Sequence, residues 1–358
     1  MYWLENWYNP PCRLDASRAP IYDVFACRLE GEFFEDDMEL PRHLRNRVIG
    51  WGGWTMILGP YYSRHAMLDL RVTSCDSCLC FFTDPYFATM MIAVPGTHKT
   101  LTLRTRHARP LTVHPSPMAA CGGFLAAATL AKYDAPYMIE WIEYHQKLGV
   151  EHFYIYNNGS ADITRVLAPL VASGLVTEIP WPHPYKVYEY QWHPWWPTDS
   201  HLYCQPPQQM HAIRRFGHNW TWMMMTDCDE FMVPGQERYL VPLLEQYDSN
   251  AVSGLEVRGR WFGNNRLHGP PVGSVVDRYT RCEPGYTAAT KLIVSPKNVR
   301  AMLIHWANSP YETVPIDPDV LTFHHYAAVS AHHSRWSPAY DGQHNAVENR
   351  RAIEVRDL

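Results

Sequence analysis

One stretch decides the fold of this 358-residue chain and reads WTWMMMTDCDEF over residues 220–231. The apolar run Trp220–Met225 predicts a buried strand, and Asp227 and Asp229 follow it directly. Side chains two residues apart in an extended segment point the same way, so the two carboxylates can converge on one hard cation. Mg²⁺ or Mn²⁺ held by one or two carboxylates and completed by substrate phosphates is common in nucleotide chemistry. The stretch therefore predicts an enzyme that handles a nucleoside diphosphate.

A second Asp-x-Asp pattern occurs at Asp317-Pro318-Asp319. No apolar strand leads into it, and Pro315 and Pro318 interrupt the backbone around it. We therefore predict a solvated turn there. Metal binding is assigned to the first pair alone, because a short motif needs a structural setting that supports it.

Composition excludes several classes of protein. Hydrophobic residues make up 46% and charged residues 19%, which suits a sizeable core and argues against disorder. The net charge of −5 offers no basic face for a duplex, so we expect no nucleic-acid partner. Nine cysteines cannot all pair. Cys75, Cys78 and Cys80 lack a fourth ligand at zinc spacing, which favours reduced thiols and no zinc.

Localisation is left open by the sequence. The opening MYWLE lacks the basic and apolar regions of a signal peptide, and no run reaches the roughly 18 apolar residues of a spanning helix. We expect a soluble chain without a membrane span, in the cytoplasm or in the Golgi lumen after loss of an anchor. Asn158 and Asn219 begin glycosylation sequons, but both lie where a glycan would obstruct folding or binding.

Two regions differ in pattern. Residues 1–116 contain short β-like runs at 80–82, 88–94 and 101–104 and little helical periodicity, which predicts a β-rich N-terminal subdomain. From Gly122 onward, strand and helix patterns alternate, which predicts an α/β fold with a mostly parallel sheet and helices on both faces. The predicted strands cover residues 124–130, 153–156, 175–179 and 220–225, and the predicted helices cover residues 134–149, 160–174 and 208–216.

The first predicted helix is the best defined. Asp134 stands at its start with Pro136 in the first turn, and Gly149 ends it. Its apolar face follows the i, i+3, i+4, i+7 spacing with Met138, Trp141, Ile142 and His145. Ligands of parallel sheets bind at the carboxyl ends of the strands, so we expect residues 132–134, 157–160 and 227–230 to converge.

Five stretches resemble glycosyltransferase family 92 over roughly residues 120–330. The longest is KYDAPYMIEWIEYHQKLGVEHFYIYNNGSAD at residues 132–162. The others are TDCDEF at 226–231, RWFG at 260–263, KLIVSP at 291–296 and HHY at 324–326. The resemblance implies a Rossmann-like GT-A domain, placed here over residues 117–330, followed by a polar tail over residues 331–358.

The resemblance also implies an activity. Members of that family are inverting, metal-dependent enzymes that largely transfer galactose from UDP-galactose in β linkage onto glycans, and many are Golgi membrane proteins. We therefore expect a nucleotide-sugar donor, a glycan acceptor and Mn²⁺ or Mg²⁺. The family usually has Asn-Glu where this chain has Tyr133-Asp134, and often Asp-Asn where it has Asn157-Asn158. These departures bear on the preference for base or sugar.

Roles follow for individual residues. Asp229 is the predicted direct metal ligand, and Asp227 is a ligand or a partner of the ribose. A third metal ligand comes from later in the chain, with His325 the first candidate and His305 the second. Donor binding is assigned to Lys132, Asp134, Asn157, Asp227 and Lys291, the last as a point charge on phosphate.

Inversion needs a general base beside the acceptor hydroxyl. The sequence does not choose among Glu256, Asp277, Glu283, Glu312 and Asp317, and we take Glu283 because its Gly- and Pro-containing loop suits the acceptor side. One stretch is rich in tryptophan and contains Trp181, Trp192, Trp195 and Trp196. These side chains can stack on acceptor sugars, or they can cover the edge of the sheet.

Two alternatives stay open. One is a catalytically weak, glycan-binding protein with a transferase fold. The other is a nucleotidyltransferase, which is disfavoured because the chain has no Walker-type Gly-Lys-Ser/Thr run.

Overall fold

The computed structural model describes residues 23–28, 53–60, 71–72, 79–82, 89–104, 110–182, 186–189, 200–235, 238–265, 267, 273–327, 329 and 345–358. The described residues fall into two compact units. The first is drawn from Met1–Gly122, His183–Asn219 and Val299–Leu303, and the second from Gly123–Pro182, Trp220–Asn298 and Ile304–Leu358. The expected domain limits at residues 116 and 330 stay a prediction. So does the predicted tail.

The strands before the carboxylate pair are numbered along the chain. They are β1 (Asp23–Arg28), β2 (Gly53–Pro60), β3 (Arg71–Val72), β4 (Leu79–Phe82), β5 (Thr89–Pro95), β6 (Leu101–Arg104), β7 (Leu111–Val113), β8 (Gly123–Ala131), β9 (His152–Asn157), β10 (Val176–Pro180), β11 (Lys186–Glu189), β12 (Ser200–Tyr203) and β13 (Trp220–Met225).

The remaining strands follow the pair. They are β14 (Glu230–Pro234), β15 (Val252–Trp261), β16 (Arg281–Cys282), β17 (Thr290–Val294), β18 (Ala301–Leu303), β19 (Trp306–Asn308), β20 (Glu312–Pro315), β21 (Leu321–His325) and β22 (Val347–Glu348). The α-helices are α1 (Ala135–Lys147), α2 (Ala161–Ala172), α3 (Gln205–Arg215), α4 (Leu240–Leu244), α5 (Val275–Arg278) and α6 (Arg351–Arg356), and short 3₁₀ turns cover Gly217–Asn219 and Pro296–Asn298.

A nine-stranded sheet forms the centre of the second unit. Its order is β10-β9-β8-β13-β17-β15-β21-β14, and β20 pairs with β15. The four strands from β10 to β13 are parallel, whereas β17 is antiparallel to both β13 and β15. Helices α1 and α2 pack against each other, α2 packs against β10, and α1 packs against β14. The prediction of an α/β fold with a mostly parallel, helix-flanked sheet is confirmed.

The first helix forms where its pattern predicts it. Met138, Trp141, Ile142 and His145 are fully buried on one face. Gly149 ends the segment with φ +104°, a conformation that glycine adopts at little cost. Asp134 stands at the N-cap, but its side chain makes no capping bond. Its carboxylate instead accepts from the backbone N–H of Lys132 and from the Tyr137 hydroxyl, which leaves it beside the carboxyl end of β8.

The first unit is rich in β-structure, as predicted. It contains an antiparallel sheet of order β1-β2-β5-β4 and a second sheet of order β3-β6-β7. Helix α3 packs against β1 and β2. Its buried Arg214 donates to the backbone carbonyls of Val299 and Arg300 at 2.8 and 2.6 Å, which ties the short segment at residues 299–303 to this unit.

Candidate active site

The carboxylate pair lies at the end of β13. Strand β13 pairs in parallel with β8, and the chain then turns through residues 226–229 before β14 begins at Glu230. The side chain of Asp227 is one-third exposed, at 33%, while that of Asp229 is nearly buried, at 9%. Cys228 faces the interior, where its thiol lies 3.4 Å from the Thr129 hydroxyl. Asp227 is therefore partly open to solvent, Asp229 is nearly buried, and Cys228 between them packs inward.

A buried ammonium neutralises part of this acidic site. Leu292 of β17 pairs with Met225, which places Lys291 beside the end of β13. Lys291 Nζ lies 2.6 Å from Asp227 Oδ2 and 3.0 Å from Glu230 Oε2. Burial alone would lower the pKa of Lys291, but the two carboxylates raise it above its usual value. Lys291 is thus a fixed positive charge within the site.

Glu230 completes the ion-paired group. One of its oxygens also accepts from the backbone N–H of Asp227 at 2.9 Å. Burial raises the pKa of Glu230 to about 7, although Lys291 opposes the shift. A neighbouring carboxylate at Asp227 raises it further. Glu230 therefore stabilises the turn that carries the aspartates and, together with Asp227, forms an ion pair with the Lys291 ammonium.

His325 contacts the second aspartate. It pairs with Glu230 across β21 and β14, and its Nε2 lies 3.4 Å from Asp229 Oδ2. Its Nδ1 lies 3.7 Å from Glu230 Oε1. Burial tends to lower the pKa of His325, but Asp229 and Glu230 raise it above its usual value. The fold thus brings the imidazole of His325 into contact with Asp229, while its role as a metal ligand stays a prediction.

Asp134 adds another carboxylate. Burial raises its pKa to about 6, hydrogen bonds from Tyr137 and the Lys132 backbone lower it, and the charges of Asp229 and Asp227 raise it. Lys132 is itself buried, with Nζ 5.6 Å from the centroid of the Tyr133 ring. The charges of Asp229 and Asp227 thus reach the carboxyl group of Asp134, while the convergence of residues 157–160 with this group stays a prediction.

His305 lies near this group without touching the pair. Its Nδ1 is 2.8 Å from the Thr290 carbonyl oxygen. Burial lowers its pKa, as does Lys291, while Asp227 raises it. The charges of Lys291 and Asp227 thus act on the pKa of His305, but its ring is hydrogen-bonded to the backbone of β17.

Asn157 uses its amide within its own loop. Its Nδ2 donates to the Ser160 carbonyl, Thr164 Oγ1 and Glu178 Oε1 at 2.8, 3.1 and 2.7 Å. Its Oδ1 accepts from the Ser160 N–H at 2.7 Å. Asn157 therefore shapes the loop at the end of β9, and its contact with a donor stays a prediction.

The two sequons are engaged in the fold. Asn158 is buried, and its Nδ2 donates to the Trp181 carbonyl at 2.7 Å. Asn219 Nδ2 donates to the Ala119 carbonyl at 2.6 Å. Trp181 is buried against Tyr156, with ring centroids 5.3 Å apart, so it fills the core. Trp192, Trp195 and Trp196 lie outside the described residues.

Glu283 follows the short strand β16. Its backbone N–H donates to the Trp261 carbonyl at 2.9 Å, and its side chain is partly exposed. Trp261 pairs with His325 across β15 and β21, and their ring centroids lie 4.2 Å apart. The predicted base is therefore linked to the carboxylate site through Trp261, a residue to which the sequence analysis gave no role beyond the RWFG resemblance.

The donor set fits a hard divalent cation. Carboxylate oxygens such as those of Asp227 and Asp229 are ligands that Mn²⁺ and Mg²⁺ prefer, whereas the imidazole nitrogen of His325 is a better ligand for softer metals such as Zn²⁺. Within the described part of the chain, no three His, Cys, Asp or Glu side chains are grouped so as to hold a metal ion by themselves.

Three buried side chains of α1 fix the strand that follows the pair. Trp141 Nε1 donates to the Glu230 carbonyl at 2.8 Å, and the Tyr144 hydroxyl donates to the Met232 carbonyl at 2.9 Å. His145 Nε2 accepts from the Met232 N–H at 3.1 Å, so its Nδ1 carries the proton and donates to the Trp141 carbonyl. The apolar face of α1 was predicted, but these polar contacts were not.

None of the described helices is long and apolar enough to cross a membrane.

Comparisons with known proteins agree on one family. The sequence model of glycosyltransferase family 92 matches residues 127–356. A family 92 protein of Oryza sativa subsp. japonica is 28% identical over 184 residues, covering 51% of this chain and 28% of the relative. A family 92 protein of Ricinus communis is 25% identical over 210 residues, covering 56% and 35%. One of Arabidopsis thaliana is 27% identical over 191 residues, covering 51% and 30%. The chain thus spans about a third of the length of these relatives.

Proposed function

The chain belongs to glycosyltransferase family 92, and we propose that it is a metal-dependent, inverting transferase that moves a hexose from a nucleoside diphosphate to a glycan hydroxyl. UDP-galactose is the proposed donor and the product linkage is β. The observation that carries the proposal is the cluster of Asp227, Asp229, Lys291 and His325 at the end of β13. The choice of galactose and of β linkage rests on the resemblance to the family.

The leaving nucleoside diphosphate gains negative charge as the sugar departs. Asp227 and Asp229, with His325 as third candidate, would hold Mn²⁺ or Mg²⁺, which supplies Lewis-acid stabilisation of that charge. Lys291 presents a fixed positive charge beside the same carboxylates, 2.6 Å from Asp227 Oδ2. Fixed charges in a largely buried site stabilise developing charge without reorganisation. His305 is the second candidate for the third metal ligand. Lys132, Asp134 and Asn157 are the proposed contacts to the nucleotide-sugar donor.

Inversion also requires a base on the acceptor side. Glu283 is the proposed base, because it follows β16 next to Trp261, whose ring in turn contacts that of His325. A carboxylate there can take the proton of the attacking hydroxyl as the new glycosidic bond forms.

The test is release of nucleoside diphosphate from a panel of donors. The protein is incubated with UDP-galactose, UDP-glucose, UDP-N-acetylglucosamine and GDP-mannose, each with Mn²⁺, with Mg²⁺ or after chelation. We expect release from UDP-sugars only with metal, and most from UDP-galactose. Full activity after chelation, or transfer only from the GDP-sugar, contradicts the proposal. NMR of the anomeric proton of the product tests the linkage, and an α-linked product contradicts inversion.

A weak or inactive transferase that binds glycans is the second candidate. It is favoured by the short bond between Lys291 and Asp227, because a carboxylate already neutralised has less attraction for a cation. Glycan binding without metal-dependent release of nucleoside diphosphate would select it.

A further inference from the structure

A row of four side chains crosses the sheet at the carboxylate site. Glu230 of β14 pairs with His325 of β21, and His325 pairs with Trp261 of β15. Phe262 bridges Cys282 in antiparallel fashion, so Trp261 and Glu283 form the next opposed pair. Residues directly opposite each other on neighbouring strands point to the same face. Glu230, His325, Trp261 and Glu283 therefore share one face.

The opposite face has its own set of contacts, which supports this assignment. Phe262 follows Trp261 and His324 precedes His325, and their rings are in tilted contact with centroids 4.3 Å apart. Arg260 lies next to Trp261 on the strand and extends its guanidinium to 4.0 Å from the centroid of the Tyr286 ring. The alternation of side chains along β15 thus separates Trp261 from Arg260 and Phe262.

We infer that Trp261 is the platform on which the acceptor sugar lies, between His325 and Glu283. The inference rests on the proposed function and names the acceptor subsite of that same site. The ligand class is a neutral pyranose, whose apolar C–H face packs on an aromatic ring while its hydroxyls meet polar groups.

The position of the indole meets the needs of such a subsite. One side of Trp261 is held by the imidazole of His325, at a centroid distance of 4.2 Å and an interplanar angle of 33°. Its side chain is nevertheless only partly buried. A sugar on this ring lies next to His325, which contacts Asp229, and next to Glu283, the proposed base. Trp261 therefore lies between His325, on the side of the metal-site carboxylates, and Glu283, the proposed base, on the other side.

The loop that carries Glu283 is held in place from the other face. Arg260 Nη1 donates to the Pro284 carbonyl at 2.7 Å, and the Thr287 N–H donates to the Gly259 carbonyl at 2.7 Å. Pro284 and Gly285 are exposed, and a Cβ added to Gly285 would meet no atom of the described residues within 4 Å. The loop is thus bonded to β15 through Pro284 and Thr287, and its exposed side at Gly285 leaves room for a ligand.

Saturation-transfer NMR tests the inference with methyl β-galactoside, methyl β-glucoside and methyl α-mannoside as probes, in the presence of UDP and Mn²⁺. We expect binding of at least one probe by the unsubstituted protein. Trp261→Ala should raise its dissociation constant about tenfold or more, and Trp261→Phe should retain most of the binding because a ring remains. Far-ultraviolet circular dichroism and the melting temperature show whether each variant is folded.

The matched control is Tyr311→Ala. Tyr311 is 45% exposed and precedes β20, which pairs with the opposite half of β15, at residues 252–256. Loss of an exposed aromatic ring there should leave probe binding unchanged.

The outcomes separate this inference from the proposed function. The inference is overturned if no probe binds the unsubstituted protein. It is also overturned if the folded Trp261→Ala variant binds the probes as tightly as the unsubstituted protein does, even when transfer is observed. If probes bind through Trp261 but no donor is ever cleaved, the subsite stands and the transferase proposal fails.

Discussion

Two Asp-x-Asp patterns in one chain fold into different environments. Asp229 is nearly buried and touches His325, and Asp227 is bonded to Lys291. Asp317 and Asp319 are both exposed, and Asp317 Oδ1 accepts from the backbone N–H of Asp319 at 2.9 Å. The second pattern is a surface turn leading into β21, as the sequence analysis predicted. The difference shows that the motif itself carries little information and that its surroundings carry most.

The surroundings of the first pair come from distant parts of the chain. Lys291 arrives from β17, His325 from β21, and α1 fixes β14 through Trp141, Tyr144 and His145. At the second pair, the carbonyl of Asp317 accepts from the N–H groups of Val320 and Leu321, which are its neighbours in sequence. A site built from distant strands can hold buried charges, whereas a local turn leaves its carboxylates in water.

The largest expected effect comes from removing the buried ammonium. Lys291→Met leaves Asp227 and Glu230 with no cation between them, and breaking a buried pair in this way costs about 3–5 kcal/mol of unfolding free energy. Urea denaturation followed by tryptophan fluorescence measures the loss. Lys297→Met is the control, because Lys297 is exposed and bonds only to Asn250 Oδ1 among the described residues.

Adding Glu230→Gln to Lys291→Met sharpens this result. The double variant removes one of the uncompensated charges and should recover part of the lost stability. A loss below about 1 kcal/mol in Lys291→Met would mean that the ion pair is not formed as described.

The next effect compares the two patterns directly. Asp229→Asn should lower the rate of transfer by about 10² to 10³-fold, because one charge is lost from a site that stabilises developing charge. Asp319→Asn should leave the rate unchanged, since Asp319 lies in the exposed turn. Initial rates at saturating Mn²⁺ measure both. Near-normal activity of Asp229→Asn would remove this residue from the catalytic site.

Local patterns in the sequence predicted much of this architecture. Strand Trp220–Met225 was predicted with its observed limits, and α1 was predicted within two residues at each end. These elements are defined by apolar periodicity and by Pro and Gly at their ends, all of which are local. The placement of Asp134 near Asp227 and Asp229 followed from the general rule for parallel sheets.

The rest depends on strand register, which the sequence does not display. Lys291 was assigned to a phosphate, but its bonds to Asp227 and Glu230 depend on the antiparallel pairing of β17 with β13. The ring contact between Trp261 and His325 depends on the pairing of β15 with β21. A shift of one residue in either register would turn these side chains to the other face, so only the folded structure reveals the contacts.

A smaller effect concerns the helix that supports the first pattern. Burial lowers the pKa of His145 from 6.5 to about 3, so the folded protein keeps this residue neutral where the unfolded chain takes up a proton. The stability that His145 contributes is therefore present above about pH 6.5 and is lost as the pH falls, by about 1.4 kcal/mol per pH unit. His145→Gln should remove about 2.3 kcal/mol of this pH dependence between about pH 6.5 and about pH 4.5, because the slope reaches its full value only well below the unfolded pKa of about 6.5.

Urea denaturation at about pH 6.5 and about pH 4.5 compares the variant with the unsubstituted protein. His114→Gln changes an exposed histidine of the first unit and serves as the control. Equal pH dependence in His145→Gln and the unsubstituted protein would show that folding does not lower the pKa of His145.

The smallest effect lies in the loop at the end of β9, where Asn157 is bonded to Glu178. Asn157 Nδ2 donates to Glu178 Oε1 at 2.7 Å, and Thr164 Oγ1 donates to the same oxygen at 2.6 Å. Asn157→Asp would replace a donor with a second carboxylate, and we expect a loss of about 1 kcal/mol, the scale of a like-charge pair on neighbouring strands. Adding Glu178→Gln should restore most of that loss, because the glutamine amide can donate to the introduced carboxylate and carries no charge. Urea denaturation of both single variants and the double variant gives the coupling energy, and strictly additive losses would contradict the pairing. A positive coupling would explain the amide at residue 157 as the partner that Glu178 requires.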